Sequence, residues 1–274
     1  MVNIFNDITL EEPNLIGIYG GTANPLRQVF MIGAIWRLAR DFGGDQFSLV
    51  EVGLWAGASA LTWRQALQEY NNGRGSLTSI DAWKPYYVPE NMPDAFGREI
   101  NQALETDEPY QVFLDNIKFM PYSVDVAVLR GWSADILPAL RKDGFHLIYL
   151  DGDHSYKGVA HDIKLACPLI RVGELFAAMT LSFKSTRWMG RGHETTLRQT
   201  SGQIIKTGTV FHPGVSRAVA EGFGVVSSLY GFWAMRRDVD SWVEVSLEGM
   251  PGLIPTFLDT ENLMGLKALL MQLQ

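Results

Sequence analysis

The stretch LDGDHSYKG, residues 150–158, sets Asp151, Asp153 and His154 at the end of the apolar run FHLIYL, where a buried strand ordinarily hands over to a neutral turn. Carboxylates and an imidazole so placed are groups that can take a proton from a bound hydroxyl. His154 is equally suited to capping the helix that follows. A second group lies in EVGLWAGAS, Glu51–Ser59, where Gly53 and Gly57 sit in a turn between an apolar strand and a helix. Glycine there lets backbone amides approach a ligand. The spacing is not the G-x-G-x-x-G that brings a pyrophosphate onto a helix N-terminus, so a cofactor without phosphate fits better. Asp81 closes the next strand, SLTSIDAW, where a carboxylate can accept from a pair of ribose hydroxyls.

These residues need elements to carry them, and the hydrophobic pattern supplies alternating ones. PLRQVFMIGAIWRLARDF has helical spacing, FSLVEVG is a short strand, and ASALTWRQALQEY is an amphipathic helix. DVAVLRGWS, FHLIYLDG and GELFAAMTL predict further strands, with helices over SADILPALRKDG and YKGVAHDIKLACPLI. HPGVSRAVAEGF predicts a late helix with Pro213 in its first turn and His212 near its cap, before strand-like GVVSSLYGFWAMRRD and SWVEVSLE. Such alternation predicts an α/β fold, a Rossmann-like, doubly wound, mostly parallel sheet with helices on both faces. Residues 84–124 exceed what a crossover needs and predict a helical lid. We read one domain over 1–274, with 1–44 an N-terminal helical segment and 177–208 atypical.

Composition narrows the partners. With 274 residues, 47% of them apolar, the chain can bury a full core. A net charge of -7 argues against a nucleic-acid surface and for a small-molecule partner. Cys167, the one cysteine, reads as a small core residue in a reducing compartment. The N-terminal stretch has acids where a signal peptide carries bases, and no apolar run reaches membrane-spanning length. We expect a cytoplasmic protein with neither nucleic-acid nor membrane partner. WKPYYVP and MPYS suit a homo-oligomer interface or a sugar-binding wall equally.

EVGLWAGAS, SIDAW, GWSADILPAL, IYLDGDHSYKGVAHDI and FHPGVSRAV, taken in this order, resemble the class I S-adenosylmethionine-dependent methyltransferases. The similarity is to the macrocin O-methyltransferase-like family, which modifies sugars in antibiotic pathways. It spans most of residues 45–235. By that resemblance Glu51, Gly53, Gly57 and Ser59 surround the methionine and ribose of S-adenosylmethionine, Asp81 holds the ribose, and Ser133 lies by the adenine. Trp132 either stacks on the adenine or is an ordinary core aromatic. The resemblance makes Asp151 a ligand of Mg2+ and Asp153 the base for the acceptor hydroxyl, with His154 assisting.

The pattern then breaks. After the fifth strand the family reads Gly-Asp-Asp, its remaining metal ligands, where this chain has Met179 and Thr180. A thioether and a neutral hydroxyl are poor substitutes for carboxylates at magnesium. From Ala177 to Gly208 there is no aspartate and one acid, Glu194, against Lys184, Arg187, Arg191, Arg198 and Lys206. This is either a basic surface loop or a displaced reading frame. Methionine has only the codon ATG and threonine codons begin AC, so the frame one nucleotide earlier must read GAC, aspartate, across Met179 and Thr180. With G-ending alanine codons the string becomes Gly-Asp-Asp. The coincidence of a forced aspartate with the missing motif favours a frameshift closing before Phe211. Two other classes stay open: an inactive S-adenosylmethionine-binding protein, and a nicotinamide oxidoreductase, for which no catalytic Tyr/Lys or His arrangement is found.

Overall fold

The apolar runs of the sequence pair into one sheet, and the reversal of strand order in its middle creates the site. The computed structural model describes residues 12–21, 23–86, 95–119, 123–181, 202–203, 210–211, 213–228 and 231–258. In chain order these form helix α1 (Pro25–Phe42), strand β1 (Phe47–Val52), α2 (Ala58–Asn71), β2 (Gly75–Asp81), α3 (Ala95–Glu105), α4 (Glu108–Asn116) and β3 (Asp125–Arg130). There follow α5 (Ser133–Ile136), β4 (Phe145–Leu150), α6 (Tyr156–Ala166), β5 (Ile170–Leu181) and the two-residue strands β6 (Gly202–Gln203) and β7 (Val210–Phe211). The chain continues with α7 (Pro213–Phe223), β8 (Gly231–Arg237) and β9 (Trp242–Glu244). The main sheet has the order β3-β2-β1-β4-β5-β8-β9. Its first five strands are parallel, and β8 runs antiparallel to both β5 and β9. The expected α/β class is observed, with helices on both faces.

Side chains alternate across the sheet with period two. Leu147 and Tyr149 of β4 join Leu49, Leu77 and Leu175 in the core under α1 and α2. Ile148 and Leu150 join Val50, Phe176 and Trp233 in the core under α6 and α7. Asp151 continues the odd-numbered series and therefore turns toward α1. That helix starts with Pro25 behind the cap Asn24, whose Oδ1 accepts the Arg27 amide at 3.2 Å. It buries Val29, Phe30, Met31, Ile32, Ile35 and Leu38 almost completely, each contributing about 1.5–3 kcal/mol. A side chain at Gly33 would displace the Met250 thioether, since its Cβ would meet Met250 Sδ at 2.4 Å.

Three boundaries differ from the sequence expectation. The helix predicted over SADILPALRKDG is α5 followed by a 3-10 turn at Leu137–Ala139, because Pro138 donates no amide hydrogen and cannot continue an α-helix. Pro168 likewise ends α6 at Ala166, with a 3-10 turn over Cys167–Leu169. β5 begins at Ile170 rather than Gly173, and the pairing with β4 shifts register between Phe145 and Leu147. The predicted cap His212, most of the atypical segment and parts of the predicted lid, 87–94 and 120–122, lie outside the described residues. Among the described residues no helix is long and apolar enough to cross a membrane.

Candidate functional site

The chain order reverses between neighbours β1 and β4, and ligands of open α/β sheets bind at such a point, outside the carboxyl ends of the strands. A cavity of about 350 Å³ lies there, a size suited to a small-molecule ligand. Its floor is the β1 turn, with Gly53, Leu54 and Trp55. Ser133 and Asp162 line one side and Asp151 and His154 another, and Tyr86, Ile100 and Leu104 close it from the lid region.

Asp81 organises the floor. Its Oδ2 accepts the amides of Leu54 at 2.7 Å and Trp55 at 3.2 Å, and its Oδ1 accepts that of Trp83 at 2.7 Å. Burial raises its pKa and these backbone donors oppose the rise. Trp55 and Trp83 both have positive φ, 51° and 44°, which is costly for a bulky residue and persists where the surroundings enforce it. Asp81 supplies that enforcement, helped by the Trp83 indole donating to the Trp55 carbonyl at 2.9 Å. Trp83 then packs on Tyr110 and Phe113 of α4, which joins the cofactor turn to the lid region.

The two glycines of the turn have different tasks. Gly53, at φ 86°, lies so close to β4 that a Cβ would stand 2.2 Å from the Asp151 carbonyl oxygen. Gly57, at φ 91°, starts α2, and its missing side chain accommodates Phe113 Cδ2 at 2.9 Å from the Cβ position. Gly57 thus lies behind the cavity wall, and so does Glu51, whereas Ser59 lines it. Glu51 is completely buried beside Tyr149, and burial pushes its pKa up to about 8. The Ser59 hydroxyl and Trp63 indole draw it back without closing a hydrogen bond of normal geometry.

At the β4 end, Asp151 is held from three sides. Its Oδ2 accepts the Tyr149 hydroxyl at 3.3 Å and faces Arg27 Nη1 at 3.7 Å, while Oδ1 lies 3.3 Å from His154 Nε2. Asp153 also lines the cavity. Ser155 donates to it twice, from its amide to Oδ1 and its hydroxyl to Oδ2, both at 2.7 Å, and Ser155 is itself the cap of α6. Asp153 thus borders the cavity and steadies the start of α6 at once, and the imidazole beside Asp151 is that of His154.

Trp132 stands half-exposed at the cavity rim and Ser133 donates to Asp162 Oδ1 at 2.6 Å. Burial pushes the Asp162 carboxyl up to about 6. Tyr86, Ile100 and Leu104 fall within the predicted lid, whereas Asp162 and Arg27 were missed by sequence reasoning. Asp162 lies on a helix read from its pattern with no site residue singled out, and nothing local to Arg27 marks it, because its partner is 124 positions away.

The residues around Asp151 do not fit the expected magnesium site. Octahedral oxygen ligation needs several acids or waters, yet Asp151 faces a guanidinium, a phenol and an imidazole. Leu150 pairs with Ala178, and the next residue of β5, Met179, is not an oxygen ligand. Among the described residues no cluster of three histidines, cysteines or acids could hold a metal.

The comparisons agree with this architecture. The solved O-methyltransferase NovP aligns over 77% of this chain and 80% of its own at 17% identity, with a TM-score of 0.50. CalS11, a TDP-rhamnose 3'-O-methyltransferase of calicheamicin biosynthesis, covers 76% of this chain and 78% of its own at 16% identity and TM-score 0.42. An O-methyltransferase from Bacillus cereus solved with SAH covers 57% of each chain at 16% identity and TM-score 0.34. At 17% identity the likeness to NovP establishes the fold alone. No curated protein sequence matches significantly. Residues 50–176, from β1 into β5, match the family model of a methyltransferase domain.

Proposed function

We propose that the chain is an S-adenosylmethionine-dependent O-methyltransferase acting on a hydroxyl of a small molecule, a sugar of a glycosylated natural product. The observation that carries this reading is one cavity in which a glycine turn braced by Asp81 meets the Asp151–His154 pair. S-adenosylmethionine supplies a methyl group on a sulfonium. Gly53, Leu54, Trp55 and Ser59 hold its methionine part, Asp81 uses its remaining lone pairs for the ribose, and Trp132, Ser133 and Asp162 flank the adenine. With Nε2–H directed at Asp151, His154 takes the acceptor proton at Nδ1. His154 would hold the hydroxyl proton released as the acceptor oxygen takes the methyl group that the sulfonium would supply. The enzyme otherwise contributes alignment, which is where much of such a barrier is lowered. Tyr86 and Lys84 at the rim offer a sugar an aromatic face and a hydrogen-bond donor.

Calorimetric titration with S-adenosylmethionine and with NAD, followed by detection of S-adenosylhomocysteine formed over a panel of nucleotide sugars and glycosides, tests the reading. Binding of NAD instead refutes it. Cofactor binding with no product over the panel supports the second reading, a non-catalytic binding protein, which Met179 and Thr180 at the strand end favour. Residues 177–208 are read as a displaced frame, checked by the nucleotide sequence across codons 174–212. We also propose a single-domain protein of the cytoplasm without nucleic-acid or membrane partners, in which the WKPYYVP and MPYS segments serve either a homo-oligomer interface or a sugar-binding wall.

A further inference from the structure

In methyltransferases of the resembled family a divalent cation provides the positive charge between a strand-end carboxylate and the acceptor oxygen. In this chain a side chain occupies that surrounding. Arg27 leaves the first turn of α1, lines the cavity and is 5% exposed, with Nη1 3.7 Å from Asp151 Oδ2. The placement follows from two independent constraints. The Asn24 cap and Pro25 fix where α1 starts, and the strand alternation turns Asp151 toward it. A cation coordinated by Asp151 would sit about 2 Å from its oxygen, directly against the guanidinium, where like charges repel in a site of low dielectric. Beyond the Leu150–Ala178 pair β5 continues with Met179 and Thr180, neither of which is a carboxylate residue. A guanidinium has five N–H donors in a rigid plane, enough to hold a carboxylate and still reach a second oxygen.

We infer that Arg27 replaces the divalent cation in this chain, so that methyl transfer runs without metal, with Arg27 positioning Asp151 and the acceptor oxygen. The inference rests on the methyltransferase reading, and the experiment separates the two. Mn2+, which takes the same oxygen ligands as Mg2+, is titrated into the purified full chain, with S-adenosylmethionine present, while paramagnetic resonance reads the free ion. Wild type and Arg27→Lys should leave Mn2+ free up to about 1 mM, the weak end of carboxylate-site affinities. Arg27→Gln should bind it at least about tenfold more tightly, and the added change Asp151→Asn should abolish that gain. Turnover of any accepted sugar should be unchanged in EDTA. Wild-type binding that Asp151→Asn removes, an Arg27→Gln protein that leaves Mn2+ free, or turnover stopped by EDTA each overturn the inference. Should Arg27→Gln fail to fold, the comparison of wild type with Asp151→Asn and the EDTA assay decide. A chain that binds no S-adenosylmethionine instead defeats the functional reading, while the Mn2+ titration still reports on Arg27.

Discussion

Glu51→Gln isolates one buried group and gives a slope that can be measured. Unfolded, Glu51 ionises near its ordinary value of 4.5; folded, burial between β1 and the helices raises this to about 8. Between those values the native state holds a proton that the unfolded state has released. The stabilisation is therefore complete below pH 4.5 and is lost as pH rises through about 8. Each pH unit across that window removes about 1.4 kcal/mol, so about 5 kcal/mol separates the two ends. Glutamine keeps the shape and does not titrate. Urea unfolding of both proteins at pH 5, 6, 7 and 8 should show the amide variant gaining on wild type by about 1.4 kcal/mol per unit, since the other titrating groups cancel in the difference. A gap that stays constant within about 1 kcal/mol over that range would mean that Glu51 is ionised in the fold, and the burial argument would be refuted.

The remaining predictions concern the site. Asp81→Ala removes an acceptor for three backbone amides and should cost about 3 kcal/mol or more together with most cofactor affinity, read by thermal melting and calorimetry; an unchanged melting temperature contradicts the bracing role. Gly53→Ala forces a methyl onto the Asp151 carbonyl, so β1 and β4 must separate and the soluble folded yield should collapse, whereas a well-behaved variant would show that the close approach is dispensable. His154→Ala should lower kcat by at least about 100-fold while cofactor affinity holds. Asp153→Ala should mainly loosen the start of α6, costing about 1 kcal/mol and leaving most turnover, and the reverse pattern would restore Asp153 as the base.

Much of the scaffold was legible locally. Pro25–Phe42 coincides with the helical run read from spacing, and the strands β1 to β4 coincide with apolar runs, because helix and strand periods are carried by neighbours a few residues apart. Short-range chemistry also set the failures: Pro138 and Pro168 shortened helices that periodicity alone had extended. The roles of the acids were not legible. Asp151 and Asp153 stand two residues apart with the same functional group, yet the strand parity sends one toward Arg27 and His154, while the turn ties the other to Ser155.

The same division runs through the whole molecule. Sequence alone determined the alternating α/β plan, the glycine turn, the acids at the strand ends and the lack of carboxylates at Met179 and Thr180, since each depends on residue type and local period. Tertiary structure decided which of those groups share a cavity and what each faces. Gly57 makes room for Phe113, burial pushes the Glu51 carboxyl up, and a guanidinium from α1 stands against Asp151. Those outcomes depend on contacts between residues far apart in the chain, where burial and charge act through distance in space and leave no pattern in the order of the amino acids.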